Sequence, residues 1–449
     1  MGATRKGGPP ADWTLEVGLT ILLGEGQQPL PVYRSSQEDR LGNWAEGSTP
    51  GMQVVEAYGT GQRQFPRLNL PAAMLEGVVL AGAYLVRANF QGAHLGYANL
   101  AGCLLSGANL SQADLWRANL RASQLAHADL NGADLFEADL TEAWLFRAQL
   151  NGANLKDALL TRANLQQTRL NGVSLNGANL QKAKLQGADL RRAYLNGADL
   201  SGAQLRGAIL AQADLSGANL GRANLQGADL SGANLSRADL YRADLTGANL
   251  TRADLSSAEL GRAQVSLAQL GGANLSRAGL RGLQANGPGP ADFSLAVLAD
   301  ADLTGADLRL ANLAGANLYS ALMSGVILQG ADLRGANLAR ATLTHVVLSH
   351  TDLQTTNLQD ADLRGADLSG SDLRGVDLSR QNLAGVNFHC ADLRGARLTK
   401  AFLEDADLLE AHLEGADLTG ADLRGARWTP ASLTTAVVTG ARFGEGTLP

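Results

Sequence analysis

The sequence predicts an all-β solenoid, and three observations carry that prediction. Leucine recurs at every fifth residue from Leu70 to Leu280, with rare substitutes such as Phe90 and Val265. The residue two before each leucine is usually Ala, with Asp or Asn between them, as in SGANL SRADL YRADL TGANL at 231–250. The same pattern resumes two residues out of phase after a short break, as in ADLRG ADLSG SDLRG VDLSR at 361–380. A period this strict means one small unit copied many times.

Each pentapeptide reads as a short straight side followed by a bend. Residues two apart in an extended segment share a face, so Ala233 and Leu235 point inward and Asn234 points out. The next two positions are rich in Gly, Ser, Thr and Arg, which suit a turn and a solvated corner. A helix would need apolar residues at three- and four-residue spacing, and a five-residue period smears them around a cylinder. With aromatic residues at only 4% of the chain, Leu and Ala must fill the interior.

On this Ala-Asp/Asn-Leu-x-x motif the chain resembles the pentapeptide-repeat family over roughly 370 residues. The resemblance implies a right-handed quadrilateral parallel β-helix, four pentapeptides to a coil. About 43 repeats centred from Leu70 to Leu280 and about 31 from Phe293 to Phe443 make about 18 coils. At about 4.8 Å per layer that is a rod on the order of 90 Å.

The expected organisation has five parts. Residues 1–65 lack the period and read as a cap or small β segment, with strands at Trp13–Leu23 and Gln53–Tyr58 separated by the polar stretch from Gly24 to Gly51. An open coil end exposes unpaired backbone, hence the expected cap. Residues 66–285 form the first repeat block. Residues 286–292 interrupt it, because Asn-Gly-Pro-Gly-Pro cannot continue a hydrogen-bonded ladder. The simpler reading is an extruded loop in one rod; the sharper one is a loop that touches a partner. Residues 293–443 form the second block, and 444–449 a tail. Trp428, Pro430, Val437, Val438 and Phe443 supply bulk for a plug over the last coil.

If twenty residues make a coil, outward residues twenty apart are vertical neighbours. One such column holds Arg162, Lys182, Gly202, Arg222, Arg242 and Arg262, a candidate stripe for phosphate, an acidic protein or acidic lipid. Another holds Asp292, Asn312, Asp332, Asp352, Asp372 and Asp392, a candidate negative surface. Both positions also tolerate such residues as plain solvated faces. Net charge is −6 overall, with +4 in 66–285, −8 in 286–449 and −2 in 1–65. Trp144 and Phe146 flank Leu145, with Tyr84 and Leu104 in the column of Trp144, while Trp116 and Phe136 stack on the opposite side. These aromatics are a candidate contact patch, or the floor on which the amino-terminal segment folds.

Chemistry is sparse. His94, His127, His345, His350, His389 and His412 share no twenty-residue column, so no metal site is expected. Cys103 falls on an inward Ala position, and two distant cysteines fit a reducing compartment. No phosphate loop, dinucleotide fingerprint or nucleophile elbow is present, and no cofactor is expected. Neither a secretory signal nor a membrane-spanning segment is visible, which points to the cytoplasm.

The expected function is a non-enzymatic protein-binding or structural scaffold, its partner unidentified. The family resemblance also implies a DNA mimic that protects DNA gyrase or topoisomerase from a toxin or antibiotic. That role presents a duplex-like surface, so direct nucleic-acid binding is not expected. Self-association into end-to-end fibres is the third alternative.

Overall fold

The computed structural model describes residues 50–444. It contains two compact units, Met1–Asp199 and Leu200–Pro449. Each is built from the same repeat.

Within each unit the outward residue of every side pairs in parallel with the residue twenty positions on, as in Asn89↔Asn109↔Asp129 and Asp214↔Asn234↔Asp254. The hydrogen bonds run along the stacking direction: Leu110 N–H donates to Asp129 O at 2.6 Å, and Asp129 N–H donates to Ala108 O at 2.9 Å. Four such columns, five residues apart, make a coil of four sides. Only one residue per side bridges to the next coil. Regular strands among the described residues are therefore confined to β1 (Asp422–Leu423) and β2 (Arg442–Phe443), paired in parallel.

The corners explain the rest of the motif. Ala83 N–H donates back to Leu80 O at 2.9 Å, with Gly82 between them at φ 69°. A positive φ at the second central residue is the requirement of a type II turn. Arg117 adopts the same conformation at φ 53°, although an L residue there costs about 1–2 kcal/mol. Inside, Leu235 is fully buried and Ala233 nearly so. Burying a leucine stabilises by about 1.5–3 kcal/mol, and this contribution is repeated at every side.

The phase break is a corner insertion within the second unit. Gln269 bridges to Asp292, Asn274 to Val297, Gly279 to Asp302 and Gln284 to Asp307, a spacing of 23; Asp292↔Asn312 restores 20. Ala285 and Ala291 are both buried in the stack. The extruded residues are 286–290, and Ala291 and Asp292, assigned to the loop from sequence, already belong to the next side.

Two expectations at the ends are corrected. Gln53–Tyr58 is helical, part of α1 (Pro50–Gly59), which also takes in the end of the stretch read as polar connector. Gly51, Val54 and Tyr58 have helical spacing and form the buried face. Tyr58 hydroxyl donates to Ala81 O at 2.8 Å, so the helix lies on the first coils. The segment Trp13–Leu23 lies outside the described residues. At the other end Trp428, Leu433, Val438 and Phe443 take inward positions, with the Trp428 and Phe443 rings 5.5 Å apart. Val437, expected in that plug, instead points outward, bridging Asp417 and remaining exposed, because it occupies the Asp/Asn position of its repeat. The one-turn α2 (Pro430–Leu433) closes this corner behind a Thr429 N-cap. Among the described residues no helix is long and apolar enough to cross a membrane.

Candidate functional site

The aromatic positions separate into packed and open ones. Trp116 lies against Gly96, where any Cβ would strike the indole, and its ring is 4.3 Å from Tyr97. Arg117 extends this cluster by donating to Tyr97 hydroxyl and pairing with Glu137 at 2.5 Å. Phe136 is half-buried beneath Lys156, and Phe146 is half-buried against His127 and Arg147. Trp144 keeps 45% of its surface exposed. Its column runs Tyr84, Leu104, Gln124, Trp144.

The basic candidates Arg162, Lys182, Arg222, Arg242 and Arg262 are all exposed and all in the positive-φ corner position. Arg162 is 3.6 Å from Glu142, and Arg242 sits over the Tyr241 ring at 5.2 Å. In the first unit Arg162 and Lys182 are twenty residues apart, as are Arg222, Arg242 and Arg262 in the second.

The acidic column is not a row of free carboxylates. Arg334, Arg374 and Arg394 each grip the aspartate two residues before, donating from Nε and Nη2 to Asp332, Asp372 and Asp392, with Nη2 contacts of 2.6 Å. These guanidinium groups hold the three carboxyls below the usual carboxylate range. Asp352 lacks an arginine; its Gln354 donates across to Asp372 Oδ2 at 2.9 Å. The signal that could have found these pairs is the tripeptide Asp-Leu-Arg. With leucine inward, its neighbours share the outer face. The same clamp forms at Asp189–Arg191, Asp307–Arg309, Asp362–Arg364 and Asp422–Arg424.

Sequence reasoning missed a patch beside the loop. Leu267, Leu295 and Leu310 occupy corner positions with φ near 60° and expose 47%, 69% and 64% of their surface. They rim the face carrying Gln269, Asp292 and Asn312, Leu267 and Leu310 on one edge and Leu295 on the other. The loop emerges on the first edge, between Leu267 and Leu310. It is tied down by Gly287 N–H donating to Ser266 Oγ at 2.7 Å and by Leu267 N–H donating to Gly289 O at 3.2 Å. Each leucine rests its Cδ2 over a glycine of the next coil, namely Gly289, Gly315 or Gly330. A branched apolar residue at positive φ is strained, and exposure returns nothing to the fold. Leucine where other repeats have Gly or Arg was the available clue.

Two stretches of ladder in the second unit are open among the described residues. At one, the bridge Asp332↔Asp352 and the Leu333 N–H bond to the next coil are not formed; at the other, the bridges Asn357↔Asp377 and Asp362↔Asn382 and the Leu358 and Leu363 N–H bonds are not formed. A groove of about 860 Å³ lies at the latter. Gln381 fills an inward Ala position, donating from Nε2 to Leu358 O at 2.6 Å, while its buried Oε1 has no partner. The shorter Ser371 reaches the equivalent Leu348 O at 2.6 Å where the ladder is closed. On the other open side the Thr356 hydroxyl bonds Leu333 O in the same way, at 3.0 Å.

Cys103 is a core residue: its thiol donates to Leu80 O, and burial pushes its pKa up to about 12. Cys390 is exposed beside His389 and Glu410, a grouping of potential metal ligands that the histidine spacing alone had concealed.

The family model for pentapeptide repeats matches residues 69–282 and 291–427 in successive segments. HetL, a pentapeptide repeat protein involved in heterocyst differentiation regulation from the cyanobacterium Nostoc sp., is 31% identical. The match covers 71% of this chain and 96% of HetL, with a TM-score of 0.16. A pentapeptide repeat protein from the Arabidopsis thaliana thylakoid lumen is 35% identical over 26% of this chain and 70% of its own, with a TM-score of 0.14. QnrB1, a plasmid-mediated fluoroquinolone resistance protein, is 16% identical over 48% of this chain and 92% of its own, with a TM-score of 0.20. No curated protein sequence gives a significant match. Family membership rests on the repeat match. The chain belongs to the pentapeptide-repeat family.

Proposed function

We propose that the chain is a non-enzymatic protein-binding scaffold, a right-handed quadrilateral β-helix of about 18 coils that works in the cytoplasm. The observation that carries this reading is the trio Leu267, Leu295 and Leu310 around the 286–290 loop. Apolar side chains held in strained, exposed corners serve a partner better than they serve the fold. Trp144 and Phe146 are the second contact candidate.

Duplex mimicry directed at gyrase is the alternative, and the fluoroquinolone resistance of QnrB1 keeps it in view. It is weakened at Asp332, Asp372 and Asp392, where arginines neutralise the carboxylates that would imitate phosphates. Fibre growth is disfavoured by α1 on the first coils.

The test is affinity recovery of a partner from the native cell extract by the full chain and by two surface variants. Leu295→Asp/Leu310→Asp is expected to reduce recovery at least tenfold, with Trp144→Ser/Phe146→Ser as the second arm. Undiminished recovery by both variants would retire the apolar faces. Inhibition or protection of purified gyrase in a supercoiling assay would move the conclusion to mimicry.

A further inference from the structure

His389, Cys390 and Glu410 meet because of the twenty-residue coil. Cys390 and Glu410 are vertical neighbours at one corner, both at φ 58°, and Cys390 N–H donates to Leu409 O at 3.1 Å. His389 adjoins them, its own N–H bound by Asn387 Oδ1 at 3.0 Å. Ladder and turn bonds thus fix the backbone beneath all three side chains. Cys390 Sγ is 3.3 Å from Glu410 Oε2, His389 Nε2 is 4.0 Å from the same oxygen, and the three donor atoms lie within 4.8 Å of one another.

We propose that these three side chains form a surface site for a borderline-soft divalent cation, zinc being the best fit. Tetrahedral zinc, with bonds of about 2.0–2.3 Å to nitrogen, oxygen and sulfur, requires donors about 3.3–3.7 Å apart. Small rotations about the side-chain torsions bring this triad to that spacing. A sulfur and an imidazole in a set of three exclude calcium and magnesium, which take oxygen ligands. The charges also match: one thiolate and one carboxylate neutralise the ion, with the thiol proton released to solvent on binding. The fourth position stays open to water or to a donor from a bound protein. His350 belongs to the same corner column, separated from Cys390 by Gly370, and its ring occupies the space that a Gly370 side chain would fill.

The site is independent of the scaffold reading, lying on the second unit away from Leu267, Leu295 and Leu310 along the chain. Its test uses the full chain, purified reduced and metal-free. Zinc is titrated against a chromogenic chelator, and cobalt is followed by its thiolate charge-transfer absorption. One equivalent of zinc is expected to bind at micromolar concentration or tighter. Cys390→Ser, His389→Ala and Glu410→Gln should each weaken binding at least tenfold, and Cys390→Ser should abolish the cobalt–thiolate band. Cys103→Ser should leave both unchanged. The three positions are exposed or half-exposed, so circular dichroism is expected to match the parent. Absence of stoichiometric binding, or undiminished binding by Cys390→Ser, would overturn the proposal.

Discussion

At the residue scale, the Asp-Leu-Arg clamp turns a column of like charges into one of alternating ion pairs. Stacked aspartates repel one another, and arginine on the same outer face offsets this locally. The Asp332, Asp362, Asp372, Asp392 and Asp422 carboxyls all titrate below their usual range because arginine side chains hydrogen-bond to them. A depressed folded pKa contributes stability that is complete above the unfolded value of about 3.9 and disappears as pH falls through the folded value. Thermal stability is therefore expected to hold from pH 7 to about pH 4 and to fall below it. In carbon-13 carboxyl titrations Arg374→Gln should return Asp372 toward the ordinary range, with little change in thermal stability because the pair is solvent-screened. An unmoved Asp372 midpoint would show that the clamp does not form in solution. Inward and outward assignments were legible because they need only the parity of neighbours. The clamps were not, because each column was read one position at a time, whereas Asp372 and Arg374 belong to adjacent columns.

At the level of one side of a coil, the inward Ala position limits how closely coils approach. Ala233 or Ala416 leaves the ladder closed; Gln381 does not. The cost is an unpartnered carbonyl oxygen in the interior and a row of unmade backbone bonds. Gln381→Ala is expected to close the side, raising stability by about 1–3 kcal/mol and slowing hydrogen exchange at the Leu358 and Leu363 amides. Lower stability with unchanged exchange would mean that Gln381 bridges the gap and does not cause it. The helix α1 escaped the sequence reading for a related reason. Its ten residues are short, and the adjacent Val54 and Val55 favour a strand locally. What decides the outcome is the apolar surface of the first coils, which accepts Val54 and Tyr58 from one helical face.

At the scale of the whole molecule, each compact unit depends on how its exposed coil edge is managed. In the first, Tyr58 and Val54 hold α1 over the starting coils, and the Arg63 guanidinium lies 3.8 Å above the Tyr58 ring. Tyr58→Asp is expected to lift this helix and open a backbone edge for pairing. Sedimentation velocity should then show concentration-dependent larger species that the parent lacks; identical profiles would assign the capping to other residues. Repeat architecture was legible across nearly the whole chain because the period is a property of every unit. Continuity through 286–290 was not, since the number of inserted residues leaves open where they go. The 23-residue bridges resolve it within the second unit.

That insertion shows how freedom is distributed in this architecture. Five residues leave and re-enter at one corner, and the vertical pairing on either side proceeds undisturbed. Sideways growth is therefore uncoupled from axial order: peptide can be added at a bend without shifting any neighbour's register. Corners are where such a protein can acquire novelty, and the flat sides, tied above and below, are where it cannot.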